Sequence, residues 1–177
     1  MKLKNAQIVG FIITVVIGTA LHFTYERAGK NAFVGAFSAV NESVWEHLKL
    51  LSVPILLLGI VEYFIYGRKK DNFIPVRLLS ILLGMTFIVT VFYTYSGIIG
   101  EHVPIVDILL FFVAAFVSYR YCYKLLQTER YTSKLSRGLA IFGVILLVAC
   151  IIIFTFTPPH IGLFRDPISG AFGTALS

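Results

Sequence analysis

GLAIFGVILLVACIIIFTFT, residues Gly138–Thr157, runs for twenty positions without a charged side chain. A bilayer hydrocarbon core about 30 Å thick is crossed by about 20 residues of helix, and a helix satisfies its own backbone hydrogen bonds inside lipid. The stretch therefore reads as a membrane span. Working outward from it, apolar runs separated by charged or Pro/Gly-rich breaks predict four more, at Ile8–Tyr25, Ser43–Tyr66, Phe73–Ile99 and Val103–Leu126. Of the 177 residues, 58% are hydrophobic and 14% charged, and the mean hydropathy is +0.87. That composition excludes a soluble domain and leaves no room for one beside the spans. The expected fold is all-α: a polytopic helical bundle of about five transmembrane helices, forming a single transmembrane domain over residues 1–177.

Charge orients the spans. With a cytoplasmic N-terminus, Lys2, Lys4, Arg68, Lys69, Lys70, Arg77, Arg120, Lys124, Arg130, Lys134 and Arg137 fall inside, against Arg27, Lys30, Lys49 and Arg165 outside. Eleven of the fifteen basic residues on one side is the bias expected of cytoplasmic loops. It places the N-terminus in and the C-terminus out. The net charge of +6 then belongs to loops that set topology and touch anionic headgroups, so the expected partner is the lipid bilayer and not nucleic acid. Lys2 and Lys4 before Ile8–Ala20 also fit a signal peptide, but the apolar run continues through Leu21 and Phe23 to Tyr25, which favours a retained span. Cys122 and Cys150 fall at different depths, which argues against a disulfide, and no cysteine metal motif is present.

The same orientation gathers chemistry on the outer side. All four histidines, His22, His47, His102 and His160, lie at the outer ends of spans, with Glu26, Glu42, Glu46, Glu101, Asp107 and Asp166 beside them. The densest run is Asn41-Glu42-Ser43-Val44-Trp45-Glu46-His47. On a helix it pairs Ser43 with His47 and Glu42 with Glu46 one turn apart. Ser43 and Glu46 also fit a capping box, in which both side chains satisfy the first free amides of the helix. Three imidazoles and a carboxylate suit a zinc site, and three ligands with one open position suit a hydrolytic one. The expected metal ligands are His22, His47 and His160, with Glu46, Glu42 or Asp166 as fourth ligand or general base. Ser43 and Asn41 are the expected oxyanion donors. His102 reads as a solvated loop residue, and Asp107 either caps its helix or bonds a histidine.

Other polar groups read as architecture. Glu62 is expected to pair with Arg77 or Arg120, or to snorkel to the interface. Tyr93, Tyr95, Tyr119, Tyr121 and Tyr123 read as belts at the two interfaces. Asn31–Val40 is too short to cross and is either a re-entrant or interfacial segment or an extension of the second helix. Pro158-Pro159 stops the last helix, and Ile161–Ser177 is expected to pack on the outer face. Gly84, Thr90, Thr94 and Gly97 offer small surfaces for packing within one chain or in a homo-oligomer.

Phe37–Lys49, taken with Thr157-Pro158-Pro159-His160 and Asp166-Pro167, resembles a family of small uncharacterised multi-pass bacterial membrane proteins. The resemblance implies a bacterial plasma-membrane protein and carries no activity. Through Ser43-x-x-x-His47 the chain is also similar to the alkaline ceramidase and adipoQ-receptor hydrolases. Those have seven spans and a late H-x-x-x-H pair, and both are missing here. The leading expectation is a membrane protein with an outward His/Glu/Asp pocket that binds zinc and hydrolyses a lipid or other amphiphile. The alternatives are a small cation or proton transporter or channel subunit, and a non-catalytic assembly partner.

Overall fold

Local capping chemistry sets the helix limits. In the computed structural model, which describes residues 2–174, α1 is Leu3–Arg27, α2 is Ala32–Gly35, α3 is Val44–Ile65, α4 is Phe73–Ile99, α5 is Pro104–Leu125 and α6 is Lys134–Phe156. Residues 175–177, the end of the expected tail, lie outside the described residues. Ser43 and Ser133 are extended N-caps whose side chains accept from the Glu46 and Ser136 amides. Gly100 closes α4 in the left-handed region, and Pro104 opens α5, where its missing amide costs nothing.

Five of these helices, all but α2, are long and apolar enough to cross a membrane. No β-strand is found among the described residues, only an isolated bridge between Arg165 and Phe172. α1 and α6 begin at Leu3 and Lys134, earlier than Ile8 and Gly138, because hydropathy reports the apolar part of a helix and not its polar first turns.

The long helices alternate in direction. Gln7 near the start of α1 donates to the Tyr66 hydroxyl just past the end of α3 (2.7 Å), while His22 near the end of α1 packs on His47 at the start of α3. All four histidines therefore occupy one end of the bundle, here called the histidine end. α3 is the most buried long helix and α6 the least. Leu51, Ile55, Ile81, Ala114 and Ala115 are fully buried between α3, α4 and α5. Leu139, Phe142, Ile145 and Ile153 of α6 face outward, as a lipid-facing surface would.

One contact fixes how closely α1 meets α3. Pro54 has no amide hydrogen, which leaves the Leu50 carbonyl without its helical donor. Gly18 packs against that carbonyl so tightly that a Cβ would stand 2.4 Å from the oxygen. Small residues at crossings allow this kind of backbone approach.

One open reading is resolved and one expectation changes. Asn31–Val40 does not extend α3: Asn31 caps the single turn α2, and the chain then stays irregular until Ser43. Ala36, Ser38 and Ala39 are buried there, so the segment lies over the histidine end. Tyr119 is not a belt residue. It is buried with its hydroxyl 2.8 Å from Thr14 Oγ1, and Tyr95 bonds the Asp107 carboxylate.

Candidate metal centre

Three elements meet at the histidine end. His22 comes from the last turns of α1, His47 from the first turns of α3, and Glu42 from the irregular residues just before the Ser43 cap. Both imidazole Nε2 atoms face one Glu42 oxygen, at 3.6 Å for His22 and 3.5 Å for His47. The ligand atoms of all three lie within 4.8 Å of one another, and the side chains are partly exposed. His47 Nδ1 is 2.9 Å from the Ser43 carbonyl oxygen. A carbonyl only accepts, so Nδ1 carries the proton and a neutral ring turns the Nε2 lone pair toward Glu42. A lone pair facing a carboxylate calls for a proton or a cation between them. A histidine whose second nitrogen is held by a backbone carbonyl is the usual arrangement of a metal ligand.

The group lines a cavity of about 380 Å³. Phe23, Phe92, Ile108, Phe111 and Phe112 make much of its wall, Gly18 and Leu50 take part, and Pro167 and Ile168 of the tail border it. His102 and Asp107 line the same cavity. Asp107 accepts from Tyr95, the Tyr95 hydroxyl accepts from the Val103 amide at 3.2 Å, and His102 Nδ1 lies 3.1 Å from the other Asp107 oxygen. Of the two readings of Asp107, the histidine bond is the one observed, since α5 has no side-chain cap. His102 is an exposed residue of the loop between α4 and α5, as expected, and its bond to Asp107 and through it to Tyr95 is what that reading left out. The only sequence trace of this triad is a histidine and an aspartate flanking Pro104, with the tyrosine coming from α4.

The other expected site residues go elsewhere. Glu46 turns inward, 2.5 Å from Lys49 Nζ, and accepts from the Val40 amide at 2.9 Å. The Ser43 hydroxyl accepts from the Glu46 amide, and Asn41 accepts from the Ser43 amide while donating to the Gly173 carbonyl. These groups hold the start of α3 and the tail. Asn41, Ser43 and Glu46, expected beside the metal ligands, are engaged in these bonds and do not line the cavity that His22, Glu42 and His47 line, while the Ser43 cap on the Glu46 amide is the capping expected of that pair. His160 does not join His22 and His47: it follows Pro158-Pro159 and stacks on Phe172, with ring centroids 4.5 Å apart. Nor does Asp166, whose carboxylate accepts from the Ile168 amide and the Ser169 hydroxyl and so closes a turn of the tail. Away from the site, Glu62 takes Arg77 as its partner.

A family model described as "Family of unknown function (DUF6512)" matches residues 1–174, and the chain belongs to that family. No curated protein and no solved structure matches it.

Proposed function

We propose, for a member of a family that brings no assigned activity, a multi-pass protein of the bacterial plasma membrane whose outward histidine end binds zinc and hydrolyses a lipid or similar amphiphile. The observation that carries this is the His22–Glu42–His47 group on the wall of a largely apolar cavity. Zinc bonds of about 2.0–2.2 Å put tetrahedral ligand atoms about 3.3–3.5 Å apart. The two histidine–carboxylate separations, 3.5 and 3.6 Å, are close to this value, and all three ligand atoms lie within 4.8 Å of one another, near enough for side-chain adjustment to close the group on one ion. Two histidines and a glutamate leave a fourth position for water, whose pKa zinc lowers to about 7. The apolar walls suit the chain of an amphiphile, and the volume falls within the usual range for small-molecule pockets. The basic residues at the opposite end support the outward orientation.

His102 is the proton carrier in this reading. Asp107 holds Nδ1, which leaves Nε2 free as a base, the same division of labour as in other carboxylate–imidazole pairs. The water oxygen bonds the substrate carbonyl carbon as its proton passes to Nε2. That proton then moves to the leaving oxygen or nitrogen as its bond to carbon breaks, giving a carboxylic acid and an alcohol or amine.

The test is zinc analysis of protein purified without chelators, together with fatty-acid release from defined ester and amide lipids in proteoliposomes. One zinc per chain and release that stops on chelation are expected. No zinc bound when it is supplied would sink the reading.

A further inference from the structure

The cavity that His22, Glu42 and His47 line has a floor and an open side. At the floor, a Cβ on Gly18 would stand 2.7 Å from the Phe111 ring, so α1 and α5 touch there. Farther from the histidine end they stay joined, through the 2.8 Å bond between the Thr14 and Tyr119 hydroxyls and the edge-on Phe11–Phe116 pair. Toward the histidine end the cavity lies between them. Each helix borders it with two residues one turn apart, Thr19 and Phe23 on α1 and Ile108 and Phe112 on α5. All four are exposed, Phe23 at 51%, Ile108 at 54% and Phe112 at 37%, whereas Val44, Leu50 and Ile88 on the α3 and α4 side are buried. The cavity therefore opens sideways between α1 and α5, onto the surface that lipid covers.

The position of the floor limits how a chain can lie. Gly18 is four residues from His22 along α1, and Phe111 four residues from Asp107 along α5, which at 1.5 Å per residue is a depth of about 6 Å. An acyl chain in a bilayer reaches the midplane, about 15 Å or half of the hydrocarbon core. A chain whose carbonyl stands at the metal centre meets the floor long before it ends, and its remainder has to leave between α1 and α5. An amphiphile taken up from water would need a pocket that encloses its whole chain. A lipid that stays in the membrane needs only an opening at its side.

We infer that the cavity seats one acyl chain of a bilayer-resident lipid, with the carbonyl at the metal centre and the first carbons against Leu50 and Phe111. The rest of the chain passes between the Thr19–Phe23 and Ile108–Phe112 stripes into the leaflet on the histidine side. Cleavage of that lipid rests on the hydrolase reading, whereas the seating of its chain needs no metal.

Photo-cross-linking of the full chain in proteoliposomes tests this. The probe is a diacyl phosphatidylcholine with a diazirine on the first few carbons of one chain, used with a chelator so that nothing turns over. Label is expected on Leu50, Ile88 or Phe111, the first two of which are only 5% and 6% exposed and line the cavity. Thr19→Trp narrows the opening without touching a proposed ligand and should cut this label at least tenfold. Ile108→Trp does so from the α5 side should the first fold poorly. Loaded with zinc, the same variants should lose phosphatidylcholine hydrolysis at least tenfold while cleaving water-soluble 4-nitrophenyl acetate within about twofold of the wild type. No label on the cavity residues, or full label in a folded variant, would overturn the proposal even where zinc-dependent hydrolysis is found. Cavity label with no hydrolysis of either substrate would uphold the lipid seat and sink the hydrolase reading instead.

Discussion

His22 and His47 stand with ring centroids 5.2 Å apart on oppositely directed helices, and a single Glu42 oxygen faces the Nε2 of each. If zinc occupies this group, His22→Ala, His47→Ala and Glu42→Gln should each weaken binding by more than the roughly 10–100-fold typical of losing an outer-shell partner. His160→Ala should bind as the wild type does. Imidazoles ligate only when neutral, so acid competes with the metal. Once both rings are protonated, affinity should fall by up to about 100-fold per pH unit. Competition titrations from pH 8 to pH 5 measure both effects, and a loss on His160→Ala would return that residue to the ligand set.

Lys49 is the clasp of the same end. Its ammonium, only 1% exposed, meets Glu46 and donates to the Gly35 carbonyl and Thr155 Oγ1, both at 2.9 Å, tying α3 to α2 and α6. Glu46→Gln strands a buried cation and should cost about 3–5 kcal/mol. The double variant Glu46→Gln with Lys49→Met should recover part of that, because no charge is then left unpaired. Unfolding in detergent provides the measurement, and zinc content separates lost stability from a lost ligand.

That clasp also shows where the amino-acid sequence is informative and where it is not. Spans are legible because hydropathy is a local sum, and the shared end of the histidines follows from alternating helix direction. The choice between Glu42 and Glu46 is not legible from spacing. A helical stripe makes them equivalent, but α3 begins at Val44, so Glu42 is off the helix and free to face His22, while Glu46 turns inward to Lys49. His102 depends on three segments, with Tyr95 and Asp107 on separate helices, and no local pattern encodes that meeting. Glu62 was legible as the partner of an arginine, because ionisable groups near one interface have few other ways to be satisfied, but the choice of Arg77 over Arg120 depends on how α3, α4 and α5 pack.

Gly18 should tolerate no side chain. A Cβ would stand 2.4 Å from the Leu50 carbonyl oxygen and 2.7 Å from the Phe111 ring. Backbone cannot step aside as a flexible side chain can, so Gly18→Val should reach or exceed the roughly 1–3 kcal/mol usual for overpacking. Gly97→Val is the control, with nothing within 4 Å of its would-be Cβ. Thermal midpoints of the two in the same detergent decide the matter, and equal midpoints would mean that α1 and α3 lie farther apart.

Orientation can be tested with Glu101→Cys and Glu129→Cys, exposed positions at opposite ends of α5, in a background lacking Cys150. A membrane-impermeant maleimide added to intact cells should label the first and spare the second until the cells are opened. The reverse pattern would put the histidine end on the cytoplasmic side and contradict the charge bias.

The role given to His102 separates cleanly from the role given to the metal. His102→Gln keeps a polar side chain at the cavity but cannot carry a proton, and it touches none of the three proposed ligands. Zinc content should match the wild type while lipid hydrolysis falls by about 10²–10⁴-fold, the range general acid–base catalysis contributes. Asp107→Asn should lose activity as well, because an amide can present its N–H to Nδ1 and force the proton onto Nε2. Tyr95→Phe, which frees one Asp107 oxygen and the Val103 amide, should have a smaller effect. Normal turnover in His102→Gln with zinc in place would remove the imidazole from the reaction and leave a carboxylate or the solvent as the base.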